Sequence, residues 1–441
     1  MFTRLMLAAL SLVLIGAAGC AGTQKTSASW DAEPDVRVRI IETLDQVSIT
    51  PQSGALLDGA EVKGPIELEA SDGSVRAVFH DATDSTREIS TDVIRIQSTE
   101  PGGDFDIPGV PYGVGWWWEG TEDRTYEGTL EVRVNDAGHL TVIVELPVEE
   151  YLRGVVPSEI GSAAPAEALK AQAVAARSET MTALFERQYA DEFSDICADV
   201  DCQVFSGIGK ATAETDAAIQ ATRGIILSYD GKPIPAYYAS NCGGHSESVE
   251  SVWPDRDRGI PCWSARFEGP IEDPGDLTNE EVFRDFVTSK PNVYCNPFHF
   301  EELPDWTEKN FRWERETSAE EMSELIAKKE DIGRVVRIEP LKRGQSGRLE
   351  SVRFVGTEGI YEEEIELSIR RLWEPPLRSS AFIVETEGGD RPDTFRFIGA
   401  GYGHGVGMCQ TGAMARAYEG QSFREILEHY YKDVEIQSVY D

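Results

Sequence analysis

Residues 148–190, VEEYLRGVVPSEIGSAAPAEALKAQAVAARSETMTALFERQYA, mark the point where the chain changes character. Pro165 suits the first turn of a helix, where a missing N–H costs nothing, and Glu167 complements the positive end of the helix dipole. Leu169, Ala173, Ala176 and Leu184 follow at helical spacing, which predicts a long helix with an apolar stripe. Lys170 and Arg177, seven residues apart, share another of its faces. Upstream, from residue 36 to about 146, apolar and polar residues alternate instead, in VRVRII, VSIT, VRAVFH, VIRIQS, LEVRV and LTVIVEL. A period of two broken by glycine and aspartate turns predicts a mainly antiparallel sheet. Strands first and helices later define an α+β chain.

Beyond this switch, TAETDAAIQATRG predicts a second helix ending at Gly224, and IILSYDGKPIPAYYASNC two strands about an Asp230-Gly231 hairpin. Residues 252–316 are rich in proline, tryptophan and charge and read as an insertion with little regular structure. An acidic helix, SAEEMSELIAKKE, then leads to the strands VVRIEPL, LESVRFVG, EEEIELS and AFIVETE. Near the C-terminus, Ser422 and Glu425 form a capping box that opens the helix FREILEHYYK.

The chain has 441 residues, long enough for two folded units and a leader. Its 41 basic residues face 78 acidic ones, a net charge of −37 that repels nucleic acid and anionic lipid surfaces. The first 20 residues, MFTRLMLAALSLVLIGAAGC, join a basic Arg4 to an apolar run too short to span a membrane. They read as a lipoprotein-type export signal in which Cys20 becomes the lipidated first residue, with 21–35 as a polar tether. The expected location is therefore the cell envelope or periplasm, with membrane contact only through that anchor. Six further cysteines form an even set in an oxidising compartment. Cys197 and Cys202 are neighbours, Cys262 and Cys295 bracket one proline-rich, acidic segment of the insertion, and Cys242 is left for Cys409.

The stretch GAGYGHGVGMCQTGA (399–413) places a glycine at every odd position from 399 to 407. As an extended strand it would leave one face without side chains, open either to tight sheet packing or to a ligand. Its spacing fits neither the dinucleotide fingerprint nor the phosphate loop.

Four blocks in order, YLRGVVPSEIGSAAPAEALKAQAVAARS, CADVDCQVFSG, PAYYASNCGGHSESVESVW and GYGHGVGMCQTGAMARAYEGQSFREILEHYY, resemble the SpoIID/LytB family of peptidoglycan-acting proteins. The resemblance implies a SpoIID-like mixed domain over 126–441, preceded by a β-rich accessory region over 36–125. It implies a lytic transglycosylase that cleaves the MurNAc–GlcNAc β-1,4 bond of glycan strands, preferring strands stripped of stem peptides, and leaves 1,6-anhydro-MurNAc ends. The catalytic acid of the family falls on Glu159. Its supporting basic positions fall on Lys170 and Arg177, and its glycan-groove positions on Tyr238, Ser240, His404 and Gln410. No cofactor is implied. Hydrolysing glycosidases need two carboxyls, but here the C6 hydroxyl of the substrate attacks, so one glutamic acid with a raised pKa can serve as acid and then base. Many relatives carry a histidine just before the second cysteine of CADVDC, where it can help hold zinc; Asp201 stands there in this chain, which points to a disulfide. Cys242 and Cys409 stand where relatives often have serine, which suits a bridge, with a Cys242/His245/His404/Cys409 metal site as the alternative. Some members of the family modify an amidase, so a glycan-binding activator of a cell-wall amidase is the second functional reading.

Overall fold

The computed structural model describes residues 30–187, 193–256, 259–270 and 273–441. The leader, with Cys20, lies outside the described residues. The fold is the expected mixture of sheet and helix. The alternating segment builds a curled sheet of 12 strands among the described residues. Its first strand, Asp35–Leu44, pairs antiparallel with Leu140–Pro147, Asp35 opposite Pro147 and Leu44 opposite Leu140, and in parallel with Ile196–Cys197. Alternate residues Val36, Val38 and Ile40 of one strand and Val142, Val144 and Leu146 of the other are buried, as a period of two requires.

The sheet runs to Pro147, as the alternation to about 146 predicts, and so crosses the domain boundary expected near 125. Thr129–Val134 and Leu140–Pro147 belong to it, and one apolar core runs from its inner face into the helices beyond. Nor is the end of the tether free. The Trp30 N–H donates to the Val439 carbonyl at 3.1 Å. The Glu33 carboxylate accepts from the Glu149 N–H at 2.8 Å and pairs with Arg223 at 2.5 Å.

Two helices carry the chain out of the sheet: α1 (Val148–Glu159) and α2 (Ala166–Glu186). Pro165 sits one residue before α2, as its cap. α2 is buried on almost every side, well beyond the predicted stripe, because its alanines let neighbours approach from all directions. Asp230 and Gly231 take φ of 52° and 76° between the strands Ile225–Tyr229 and Lys232–Pro233, the left-handed pair a two-residue hairpin needs. The Ser422–Glu425 capping box opens the helix Phe423–Tyr430.

The insertion is larger and more regular than its composition suggests. It contains the helices Glu280–Thr288 and Trp306–Phe311, and it leads into two three-stranded sheets around a second core with Phe354, Trp373, Phe382 and Phe397. EEEIELS is strand only to Glu364; Glu366–Arg370 is helical after Ile365 turns the chain with φ 71°.

One of the three expected disulfides, Cys197–Cys202, forms. Cys262 and Cys295 are unbonded, and so are Cys242 and Cys409. The insertion does not close on itself at Cys295. That residue crosses to the wall formed by 238–242, where its carbonyl accepts from Asn241 Nδ2 at 3.1 Å and its Sγ lies 3.6 Å from that of Cys242.

Candidate active site

α1 ends at a cleft of about 880 Å³, and Glu159, its last residue, lines it together with Tyr238, Ser240, His404 and Gln410. Residues separated by 251 positions thus face one space. Glu159 Oε1 accepts the Val204 N–H at 2.8 Å, from a segment tied down just upstream by Cys197–Cys202. Gln410 Nε2 donates to the Glu159 carbonyl and to Gln172 Oε1, both at 3.2 Å, which fixes the end of α1 against α2. Tyr238 donates to Gln203 Oε1 at 2.9 Å, and Gln203 Nε2 to Thr180 Oγ1 at 3.2 Å. The Ser240 hydroxyl accepts from Asn310 Nδ2 at 3.1 Å.

These donors favour the Glu159 carboxylate, but desolvation outweighs them. The carboxyl is pushed up to about 7, with Val204, Gln410 and Tyr238 pulling the other way. Desolvation disfavours the charged form, the condition a proton donor at neutral pH requires.

The expectation for the two helix cations does not hold. Arg177 is fully buried and grips Glu149, Nε to Oε1 at 2.9 Å and Nη2 to Oε2 at 2.7 Å. Glu149 also accepts from the Gly224 N–H and the Tyr440 hydroxyl, so Arg177 ties α1, α2 and the C-terminus together. Lys170 pairs with Glu167 one turn away at 2.6 Å and does not line the cleft. Among the described residues the cation that does is Arg256, over the ring of Trp253.

The glycine stretch also behaves differently. Gly401, Gly403, Gly405 and Gly407 all take positive φ, so the chain winds instead of running extended. The close approach comes from the protein itself: a Cβ on Gly405 would lie 2.5 Å from Arg348 Cζ, and one on Gly407 1.9 Å from the Tyr237 carbonyl oxygen. His404 is held down to about 3 by burial, with Arg348 and Arg370 adding to the effect. Its neutral ring accepts the Val406 N–H on Nδ1 at 3.0 Å and packs on Trp253, ring centres 4.7 Å apart. His404 therefore shapes the cleft wall as a neutral group.

Composition and motif leave further cleft residues unmarked. Glu179, on α2, is pushed up to about 8 by burial, with Glu186 and Glu159 adding to it and Arg256 opposing it. With Glu186 and Asp201, four carboxyls thus line one cleft. Trp306, nearly half exposed, Trp253 and Tyr402 supply aromatic faces of the kind sugars stack on. Only the packing of α2 and the insertion shows which side of each faces the space.

The sulfurs of Cys197 and Cys202 are bonded to each other, which leaves no thiolate beside Asp201 for a metal. The Cys242/His245/His404/Cys409 set does not assemble either: His245 Nδ1 is on the Ser246 carbonyl at 2.7 Å and His404 Nδ1 on Val406. Cys242, Cys295 and Cys409 come together instead, all three sulfurs within 4.8 Å of one another.

In this mixed fold Glu159, half-buried at the end of α1, lines one cleft with Gly403 and His404 of the glycine-rich turn. Residues 136–229 match the SpoIID family model, described as stage II sporulation protein, which supports the resemblance to the SpoIID/LytB family. Residues 255–407 match a domain of unknown function, which covers the second core and starts where the insertion starts. Among curated proteins the chain is 28% identical over 311 residues to an uncharacterized protein of Brachyspira hyodysenteriae (70% of this chain, 72% of that one). It is 28% identical over 305 residues to the amidase enhancer of Bacillus subtilis (65% of this chain) and spans 40% of that protein's length. It is 25% identical over 332 residues to stage II sporulation protein D of Bacillus amyloliquefaciens (72% of this chain, 82% of that one).

Proposed function

We propose that the protein acts on the cell wall as a peptidoglycan lytic transglycosylase, with Glu159 as its acid and base. The observation that carries this reading is the placing of Glu159, half-buried at the end of α1, in one cleft with Trp253, Trp306 and Tyr402, where desolvation pushes its carboxyl up to about 7. In the reaction, the protonated Glu159 carboxyl gives its proton to the glycosidic oxygen as the C1–O bond breaks. The resulting carboxylate then takes the proton of the MurNAc C6 hydroxyl as O6 bonds to C1. One proton leaves and one returns, no water is consumed, and the product ends in 1,6-anhydro-MurNAc. The Val204 N–H holds one carboxylate oxygen through both steps. Trp253, Trp306 and Tyr402 offer faces for sugar rings, and Arg256 a donor for sugar oxygens. The envelope location and the lipid anchor at Cys20 belong to the same proposal.

A second reading, a non-catalytic glycan-binding partner of an amidase, is favoured by the similarity to a protein named amidase enhancer. The two separate in one assay. Purified protein is incubated with denuded glycan strands, and fragments are read by mass spectrometry. The enzyme reading expects anhydro-terminated products from wild type and a loss of about 10²–10⁴-fold in Glu159→Gln. Binding of glycan by both proteins with no product from either would establish the activator reading instead.

A further inference from the structure

We infer that Cys242, Cys295 and Cys409 form a trithiolate site for a soft, thiophilic metal ion of the zinc or copper(I) class, set behind the wall of the cleft. The three sulfurs lie within 4.8 Å of one another, and Cys242 and Cys295 are 3.6 Å apart. A metal with bonds of about 2.3 Å to sulfur spaces its thiolates about 3.8–4.0 Å apart, so one ion fits among them with small shifts. A disulfide joins two sulfurs and strands the third; here all three are mutual neighbours and all three are buried. Thiolate ligands select copper(I) and zinc over magnesium, calcium or manganese.

The surroundings favour negative charge on the Cys409 sulfur. Cys409 caps the helix Gln410–Tyr418, and its Sγ accepts the N–H groups of Cys242 at 3.2 Å and Gly412 at 3.4 Å. Arg312 reaches the Gly243 carbonyl, next to Cys242, at 2.9 Å. Its hydrogen bonds go to the carbonyls of Gly243, Phe286, Ser289 and Phe311, and among the described residues no carboxylate lies within ion-pair distance of it. A trithiolate carries net negative charge with either a mono- or a divalent ion and gives this guanidinium a counter-charge. The acid that faces the cluster, Glu268, is already engaged by Arg416, His429 and Tyr430. On binding, three S–H groups release their protons to solvent as three metal–sulfur bonds form, with no change of oxidation state.

The site joins three distant segments. Cys242 lies two residues after Ser240, Cys409 immediately before Gln410, and Cys295 in the insertion. The ion would staple the insertion to the two strands that hold those cleft residues, Tyr238–Ala239 and Met408–Cys409, which already pair in parallel.

The test uses the full chain purified under reducing, anaerobic conditions. Elemental analysis is followed by separate titrations with zinc and with copper(I) against competing chelators. About one ion per chain is expected for one of these metals, with at least about tenfold weaker binding in Cys242→Ser, Cys295→Ser and Cys409→Ser and no change in Cys262→Ser. Should the serine variants fail to fold, alkylation of wild type supplies the answer: the bound metal should protect these three thiols, and a chelator should expose them together. Failure of wild type to bind either metal, binding that survives all three substitutions, or a bridge between two of the three in non-reducing peptide maps overturns the site. Metal content is read without activity, so its outcome is independent of whether Glu159→Gln abolishes cleavage.

Discussion

Glu159 illustrates how burial decides protonation. Its folded value of about 7 lies above the ordinary 4.5, because desolvation exceeds the help from three hydrogen-bond donors. The neutral form is therefore favoured by folding: its contribution to stability is complete below pH 4.5 and is lost as pH rises through 7. Replacing the carboxyl by an amide removes that loss, so the thermal midpoint of Glu159→Gln minus that of wild type should climb between pH 4.5 and 7 and stay level outside this window. A difference that is flat across the window would mean that the carboxyl is solvated. Arg177 invites the opposite substitution. Arg177→Met leaves Glu149 buried without its cation and should lower the unfolding free energy by about 3–5 kcal/mol, read from urea denaturation; a change below 1 kcal/mol would contradict the buried pair seen here. Glu159 could be found in the sequence because it sits inside a motif. The role of Arg177 could not, since its partner lies 28 positions away and helical period says which residues share a face, not what that face meets.

At the level of elements, the glycine turn is a packing device. Gly407 combines φ 73° with a neighbouring carbonyl oxygen 1.9 Å from where a Cβ would be, and backbone cannot swing aside as a side chain can. Gly420 has φ 85° and nothing within 4 Å of its Cβ position. Gly420→Ala should therefore cost about 1–2 kcal/mol, the conformational term alone, and Gly407→Ala at least about 3 kcal/mol, compared by chemical denaturation. Equal costs would show that conformation, not contact, requires the glycines. Alternation of glycine in the sequence suggests a strand with one bare face; the left-handed φ of every second residue turns that pattern into a coil around Arg348 instead. α2 shows the same limit in reverse: its alanines predict a helix, and only packing shows that it is central.

For the molecule as a whole, sheet and helices share one core, and the N-terminal segment closes it. Glu33 caps α1 from outside, because Pro147 has no side chain that can do so, and it pairs with Arg223. Glu33→Ala should reduce stability by about 1 kcal/mol and be partly restored by salt-independent capping in Glu33→Gln, measured as shifts of thermal midpoint at low and high ionic strength. Loss of the same size in both variants, fully suppressed by salt, would assign the effect to the ion pair instead. The inserted unit reaches the cleft through Trp306 and Asn310 and the thiol cluster through Cys295, so it forms part of the site, which its irregular composition did not foretell.

The sequence by itself determined the α+β class, the switch from a period of two to helix after Pro147, the hairpin at Asp230-Gly231, the Ser422 capping box and the one disulfide between near neighbours. All of these are local: propensity, periodicity and short spacing act within a few residues. Only the tertiary structure decided that Glu179 and Arg256 share the cleft of Glu159, that Arg177 serves the core, and that Cys295 joins Cys242 and Cys409. Those outcomes depend on which faces meet across tens to hundreds of positions, and burial, which sets both charge state and partner, exists only once the faces have met.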